Sequence, residues 1–328
     1  MMTEAYIHVE GLKKYFATKR GMLHAVDDVS FEIRKGETLG LVGESGCGKS
    51  TLGRCLIRLL DSTDGKILLR NTNNDGWTDI TKASAREMKE LRKRVQIVFQ
   101  DPYSCLNPRL SVWELIAEPL IVNKIYSDKN EMRKRIRSLM DTVGLAERLE
   151  NSYPHELDGG RRQRIGIARS LALNPEFIVL DEPVSALDVC IQAQILNLLN
   201  DLQKEFAYTY VFISHNLSVV RHVSDRIAVM YLGQIVELSE YKDLFTNPLH
   251  PYTQALLSAI PLAKLDVRRE RIILEGDVPS PIEPPNACRF AGRCRYAKDV
   301  CRNTPPALRE ILPGHFAACH YAKENHTA

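Results

Sequence analysis

Four mostly apolar runs punctuate the chain, and each ends on a glycine or a polar residue. Thr38–Val42 stops at Gly43, Val95–Phe99 at Gln100, Phe177–Leu180 at Asp181 and Tyr210–Ile213 at Ser214. Short runs of this kind predict strands buried on both faces, the form that parallel sheets take. Between them, apolar positions recur at helical spacing over Glu131–Thr142 and Ile191–Glu205. Strands alternating with helices predict an α/β fold with a mainly parallel sheet covered on both faces. The stretch 101–156 is poor in buried-strand runs, which predicts a helical subdomain inserted between strands. From Asn247 the pattern changes. Asn247–Pro251 and Pro279–Pro285 are dense in proline, which fixes φ and removes an amide donor. The tail is therefore predicted as turns and extended chain, not a continuation of the sheet.

Composition narrows the class without choosing a function. At 328 residues the chain has room for about two domains. Apolar residues at 44% and charged residues at 26% fit a folded protein and exclude a wholly disordered one. A net charge of +3 is too balanced to point to nucleic acid. No apolar run is long enough to cross a membrane, and the first residues lack a secretory pattern. The expectation is a cytosolic chain whose membrane attachment comes through a partner. Eight cysteines in such a chain do not form a disulfide framework, yet four crowd into the last 41 residues.

The chemistry begins where the first buried strand ends. Gly43-Glu44-Ser45-Gly46-Cys47-Gly48-Lys49-Ser50 matches the phosphate-binding pattern G-x-x-x-x-G-K-S/T, with a helix predicted over Thr51–Leu60. Glycines let the backbone N–H groups face the phosphates, and the helix start adds a positive dipole end. Lys49 is then placed for the β- and γ-phosphates, and the Ser50 hydroxyl for Mg²⁺. The strand ending in Asp181-Glu182 offers one acid for the magnesium's water shell and one to polarise the attacking water. His215 closes another strand and is a candidate donor to the γ-phosphate.

These residues come in one order: phosphate loop, Gln100, Gly159-Gly160, Asp181-Glu182, Ser185–Asp188, His215. That order resembles the nucleotide-binding subunit of ABC transporters, over roughly residues 5–245. The resemblance implies an ABC-type ATPase: a RecA-like core, an antiparallel β subdomain and an inserted helical subdomain. It makes Gln100 a glutamine that touches Mg²⁺, Ser185 to Asp188 a D-loop, and His215 the switch histidine. Phe16 fits the aromatic that stacks on adenine, with Tyr15 second. Gln100-Asp101-Pro102-Tyr103, Leu106-Asn107-Pro108-Arg109, the run from Asp181 to Val189 and His250-Pro251-Tyr252 resemble the dipeptide and oligopeptide permease ATPases, F-type more than D-type. For this branch the resemblance implies ATP and Mg²⁺, two membrane permease subunits, a second non-identical ATPase and an extracellular peptide-binding protein. It implies no nucleic acid, and a peripheral place on the cytoplasmic face of the membrane. The corresponding divisions are 1–100, the lobe with the phosphate loop; 101–160, helical; 161–248, the rest of the core; and 249–328, the C-terminal tail.

Two features depart from a plain reading. The family's signature helix opens Leu-Ser-Gly-Gly-Gln, whereas this chain has Leu157-Asp158-Gly159-Gly160-Arg161. Asp158 can cap the helix, but its carboxylate would face a phosphate on the partner's nucleotide, so a poorly catalytic site and a tolerated variant are both open. The other feature is Cys288, Cys294, Cys301 and Cys319, whose clustering in a reducing compartment points to metal. Four thiolates suit a 4Fe–4S cluster, and the resemblance implies one; zinc and free thiols are the alternatives. A soluble ABC ATPase acting on nucleic acid or the ribosome competes with the transport reading, as does a module that has lost hydrolysis.

Overall fold

The computed structural model describes residues 4–72, 76–260 and 271–322. In chain order the strands are β1 (Ala5–Thr18), β2 (Gly21–Arg34), β3 (Thr38–Val42), β4 (Asp64–Arg70), β5 (Trp77–Asp79) and β6 (Val95–Val98). They continue as β7 (Phe177–Asp181), β8 (Thr209–Ser214), β9 (Arg226–Tyr231), β10 (Gln234–Glu240), β11 (Arg309–Leu312) and β12 (His315–Ala317). Each apolar run of the sequence forms one of these strands, and the two helical patterns lie inside the helices Lys129–Thr142 and Val189–Phe206. The chain makes two compact units, Met1–Lys82 with Phe212–Ala328, and Ala83–Val211.

In the first unit β2, β1, β4 and β5 form an antiparallel sheet in that order. Ile7 and Val9 on β1, and Ile67 and Leu69 on β4, are buried in period-two alternation, and a register shift between Val9 and Leu12 breaks the alternation before Leu12, which is also buried. Beside it runs a second sheet whose β3 is buried at every position and lies parallel to β9, with Val42 opposite Val229. In the second unit β6 and β7 pair in parallel, Val95 with Phe177 through Val98 with Leu180. Helices Val112–Val122, Lys129–Thr142, Gly159–Leu171 and Val189–Phe206 belong to the same unit. The first starts with a capping box: the Ser111 hydroxyl accepts from the Glu114 amide at 3.3 Å, and the Glu114 carboxylate accepts the Ser111 N–H at 2.7 Å.

The tail corrects the expectation drawn from its prolines. β12 pairs antiparallel with β10, Glu237 opposite Ala317, and β11 pairs with β12, so the tail does continue the sheet. Pro313-Gly314 forms the turn between β11 and β12, with Gly314 at φ 73°. The proline-dense stretches 247–251 and 279–285 hold neither strand; β11 and β12 lie beyond them, so proline density did not exclude strands. Phe290 is buried against Tyr231, Tyr252 and His250, ring centroids 5.3 to 5.5 Å apart. Buried Glu237 accepts from the Leu249 and His250 amides at 2.7 and 2.9 Å and meets the His315 ring at 2.7 Å.

His250 caps the Pro251–Ser258 helix through Nδ1, which accepts from the Tyr252 amide at 3.1 Å. Full burial pushes its pKa down to about 4 from the usual 6.5. The unfolded chain therefore binds the extra proton first. Stability from the neutral ring is complete above pH 6.5 and is lost as pH falls toward 4, by about 3 kcal/mol in all. His250→Asn keeps a capping acceptor but cannot titrate, so its stability deficit should shrink on acidification. Denaturation at pH 7 and pH 4.5 checks this; parallel losses in both proteins would remove His250 as the source.

Candidate nucleotide-binding site

The phosphate loop leaves buried β3 at Val42 and enters the helix Lys49–Leu56. Gly48 stands at φ 106°, and a Cβ there would lie 2.0 Å from the Ala25 carbonyl oxygen, so neither conformation nor space admits a side chain. A Cβ on Gly43 would lie 2.1 Å from the Met230 carbonyl oxygen. Gly48 gives the helix no side-chain cap, which leaves its first amides to the loop's concavity. Lys49 is buried, and its ammonium donates to the Gly43 and Glu44 carbonyls at 2.8 and 2.9 Å. A cation is thus held over the loop where an anion would enter. Ser45 and Gly46 are exposed, Ser50 and Thr51 are half-buried on the first helical turn, and Cys47 is buried.

Other candidates of this unit take distinct positions. Tyr15 stacks on His24 at 3.9 Å and donates its hydroxyl to Asp27. Phe16 is exposed, with the Lys14 ammonium 4.9 Å from its ring centre. His215 is exposed just past β8. Three residues not chosen as site candidates, Tyr252, Arg289 and Arg293, also reach the loop region. Glu44 of the loop donates its amide N–H to the Tyr252 hydroxyl at 2.9 Å, and its carboxylate accepts from Arg293 at 2.9 Å. Arg289 donates to Asp27 and to the Leu232 carbonyl. Tyr252 lies in the His250-Pro251-Tyr252 motif, but no local signal marks the arginines, two among many in a basic tail.

In the second unit Asp181 ends β7 fully buried, and Glu182 follows at φ 48°, a left-handed conformation rare outside glycine. The Gln100 amide donates to the Glu182 carboxylate at 3.3 Å. Ser185 donates its hydroxyl to the Glu182 carbonyl at 3.1 Å. Asp158 does cap the helix Gly159–Leu171: its carboxylate accepts from the Arg161 amide at 2.8 Å and pairs with the Arg161 guanidinium at 3.4 Å. Asp188 opens the helix Val189–Phe206 and is exposed, as is Val189 at 80%. Gly160 is buried, a Cβ there lying 2.6 Å from Ile191.

The iron–sulfur expectation fails. Cys288, Cys294, Cys301 and Cys319 do line one cavity, but it measures about 20 Å³, space for roughly one water. Among the described residues no group of three or more His, Cys, Asp or Glu is arranged to hold a metal ion. Zinc finds no site for the same reason. Burial pushes the Cys288 and Cys319 thiols up to about 11, against the thiolate form that metals require. Cysteine spacing along the chain does not encode the separation of the sulfurs; the tail packs them as free thiols beside Phe290.

Comparison with known proteins places this geometry. The family described as "ABC transporter" matches residues 26–185, and "Oligopeptide/dipeptide transporter, C-terminal region" matches residues 236–301. The oligopeptide transport ATP-binding protein AppF of Bacillus subtilis is 50% identical over 97% of this chain and 97% of its own length. OppF of the same bacterium is 49% identical over 98% of each chain. Among solved structures, a dimeric bacterial ABC transporter cassette aligns with a TM-score of 0.64 at 30% identity, over 72% of this chain and 98% of that one. CbiO1 of Clostridium perfringens, part of an ABC transporter complex, aligns with a TM-score of 0.65 at 29% identity, over 74% and 92% of the two chains.

Proposed function

From the premise that this chain belongs to the ATP-binding subunits of oligopeptide and dipeptide ABC transporters, we propose that its ATP hydrolysis powers peptide import. The observation that carries this is near-full-length identity to oligopeptide transport ATP-binding proteins, joined to a buried Lys49 folded over a capless helix start. The cassette is an ABC-type ATPase. It works on the cytoplasmic face of the membrane, on two permease subunits served by an extracellular peptide-binding protein, with a second, non-identical ATPase. Among the described residues no helix is long and apolar enough to cross a membrane, and in this reading the permeases supply the spans.

In this reading Lys49 and the loop amides of residues 43–51 hold the β- and γ-phosphates, and Phe16 with Tyr15 takes the adenine. Ser50 and Gln100 would each offer Mg²⁺ an oxygen donor, the kind of ligand it takes. When bound with ATP it neutralises charge on the phosphate oxygens. Asp181 orders the surrounding water, Glu182 orients the attacking water and His215 donates to the γ-phosphate. Asp158, Gly159, Gly160 and Arg161 meet the nucleotide of the second ATPase, and Ser185 and Asp188 belong to that same contact. The exposure of Asp158, Arg161 and Val189 supports a face built for a partner.

The departed signature makes the sites unequal. Two copies of this chain would set Asp158 against a phosphate in both sites, whereas a partner with an ordinary serine relieves one of them. The purified chain alone should hydrolyse ATP slowly, and reconstitution with the permeases, second ATPase and peptide-loaded binding protein should raise the rate. Asp158→Ser with Arg161→Gln should speed the isolated chain about fivefold, the value of roughly 1 kcal/mol of like-charge contact. Equal turnover alone and in complex, indifferent to peptide and to the double substitution, would refute the scheme.

A further inference from the structure

We propose that the C-terminal segment braces the nucleotide site, with Tyr252 and Arg293 as positioning residues that hold Glu44 of the phosphate loop. The inference rests on reading that loop as the ATP site, and it assigns a role to a region whose cysteines form no metal-holding group among the described residues. Glu44 is gripped twice by residues far along the chain. Its amide is held by the Tyr252 hydroxyl, 208 positions later, at 2.9 Å, and its carboxylate by Arg293, 249 positions later, also at 2.9 Å. Tyr252 is fully buried and the Arg293 side chain is 10% exposed, so neither contact is a solvent-screened surface pair.

The C-terminal segment also reaches the loop's other wall, through Arg289 and the β9–β10 turn. The β9–β10 turn donates the Gly233 amide to the Cys47 carbonyl at 2.8 Å, and its carbonyl accepts from the Asp27 amide at 2.8 Å. Arg289 links Leu232 of this turn to Asp27, and Asp27 accepts the Tyr15 hydroxyl. The tail therefore touches the phosphate side through Arg293 and the aromatic side through Arg289.

Two physical consequences follow for ATP. Lys49 now bonds the Gly43 and Glu44 carbonyls, and a phosphate competes with them for its three N–H donors. With Glu44 held by Tyr252 and Arg293, the loop keeps its shape as Lys49 turns to a phosphate, and less ordering entropy is lost on binding. Glu44 also brings a carboxylate into a loop that receives a polyanion, and the Arg293 guanidinium offsets that charge.

The test titrates Mg·ATP, read with a fluorescent ATP analogue, into the full-length chain. Arg293→Met keeps the stem and removes the charge; Kd should rise roughly tenfold, the worth of one charged hydrogen bond. Hydrolysis at saturating ATP should stay near wild type, so KM moves and kcat does not. Arg293→Lys should restore most of the affinity, and Arg293→Met should cost little in a Glu44→Ala background. Tyr252→Phe, which deletes one oxygen, should weaken binding several-fold on its own. Wild-type Kd in both Arg293→Met and Tyr252→Phe would overturn the brace, as would an Arg293→Met effect undiminished by Glu44→Ala. Lys49→Ala separates the two layers: if it too binds ATP normally, the site reading falls and the brace with it.

Discussion

Glu182→Gln should lower steady-state hydrolysis in the assembled transporter by roughly 10²- to 10⁴-fold while ATP remains bound, the range that a positioned general base commands. The substitution is chemically narrow. It keeps the length of the side chain and the left-handed backbone at φ 48°, and an amide can still face the Gln100 side chain, now 3.3 Å from the carboxylate. What it removes is the charge that, in the proposed mechanism, orients and deprotonates water. Phosphate release should collapse, and nucleotide retained after rapid desalting should rise. Turnover within about twofold of wild type would take Glu182 out of the chemistry.

Lys49→Ala acts earlier in the cycle and should weaken binding itself. In the proposed site the ammonium supplies charge-assisted hydrogen bonds to the phosphates; losing them should cost about 2–4 kcal/mol, a fall in affinity of roughly 30- to 1,000-fold. Lys49 is 5% exposed, and its removal also unmakes the bonds to the Gly43 and Glu44 carbonyls. Melting temperature should therefore be followed beside Kd. Lys49→Arg would show whether charge alone suffices; the guanidinium is planar and larger, and the cramped loop between Met230 and Ala25 should reject it. Near-normal affinity in Lys49→Ala, with an intact fold, would rule out the loop as the phosphate site.

The sequence by itself determined everything that depends on a few neighbouring residues. Burial of β3, β7 and β8 was legible because an apolar run has no polar face to show water. The strand–loop–helix turn over residues 43–50 was legible because its glycines and Lys49 are neighbours in sequence, Lys49 bonding the Gly43 carbonyl six residues back, whereas the Ala25 carbonyl that crowds Gly48 was not. The Asp158 cap was legible because a carboxylate reaches an amide three residues on. The tertiary structure alone decided what the chain's path brings together. Proline density foretold turns but not that β12 would add to β10, since strand pairing depends on which edge lies open. Four cysteines suggested a cluster, but spacing in sequence does not set sulfur positions, and the folded tail leaves only a water-sized gap. Arg293 and Glu44 lie 249 residues apart, and an ion pair at that separation has no period, motif or composition to betray it.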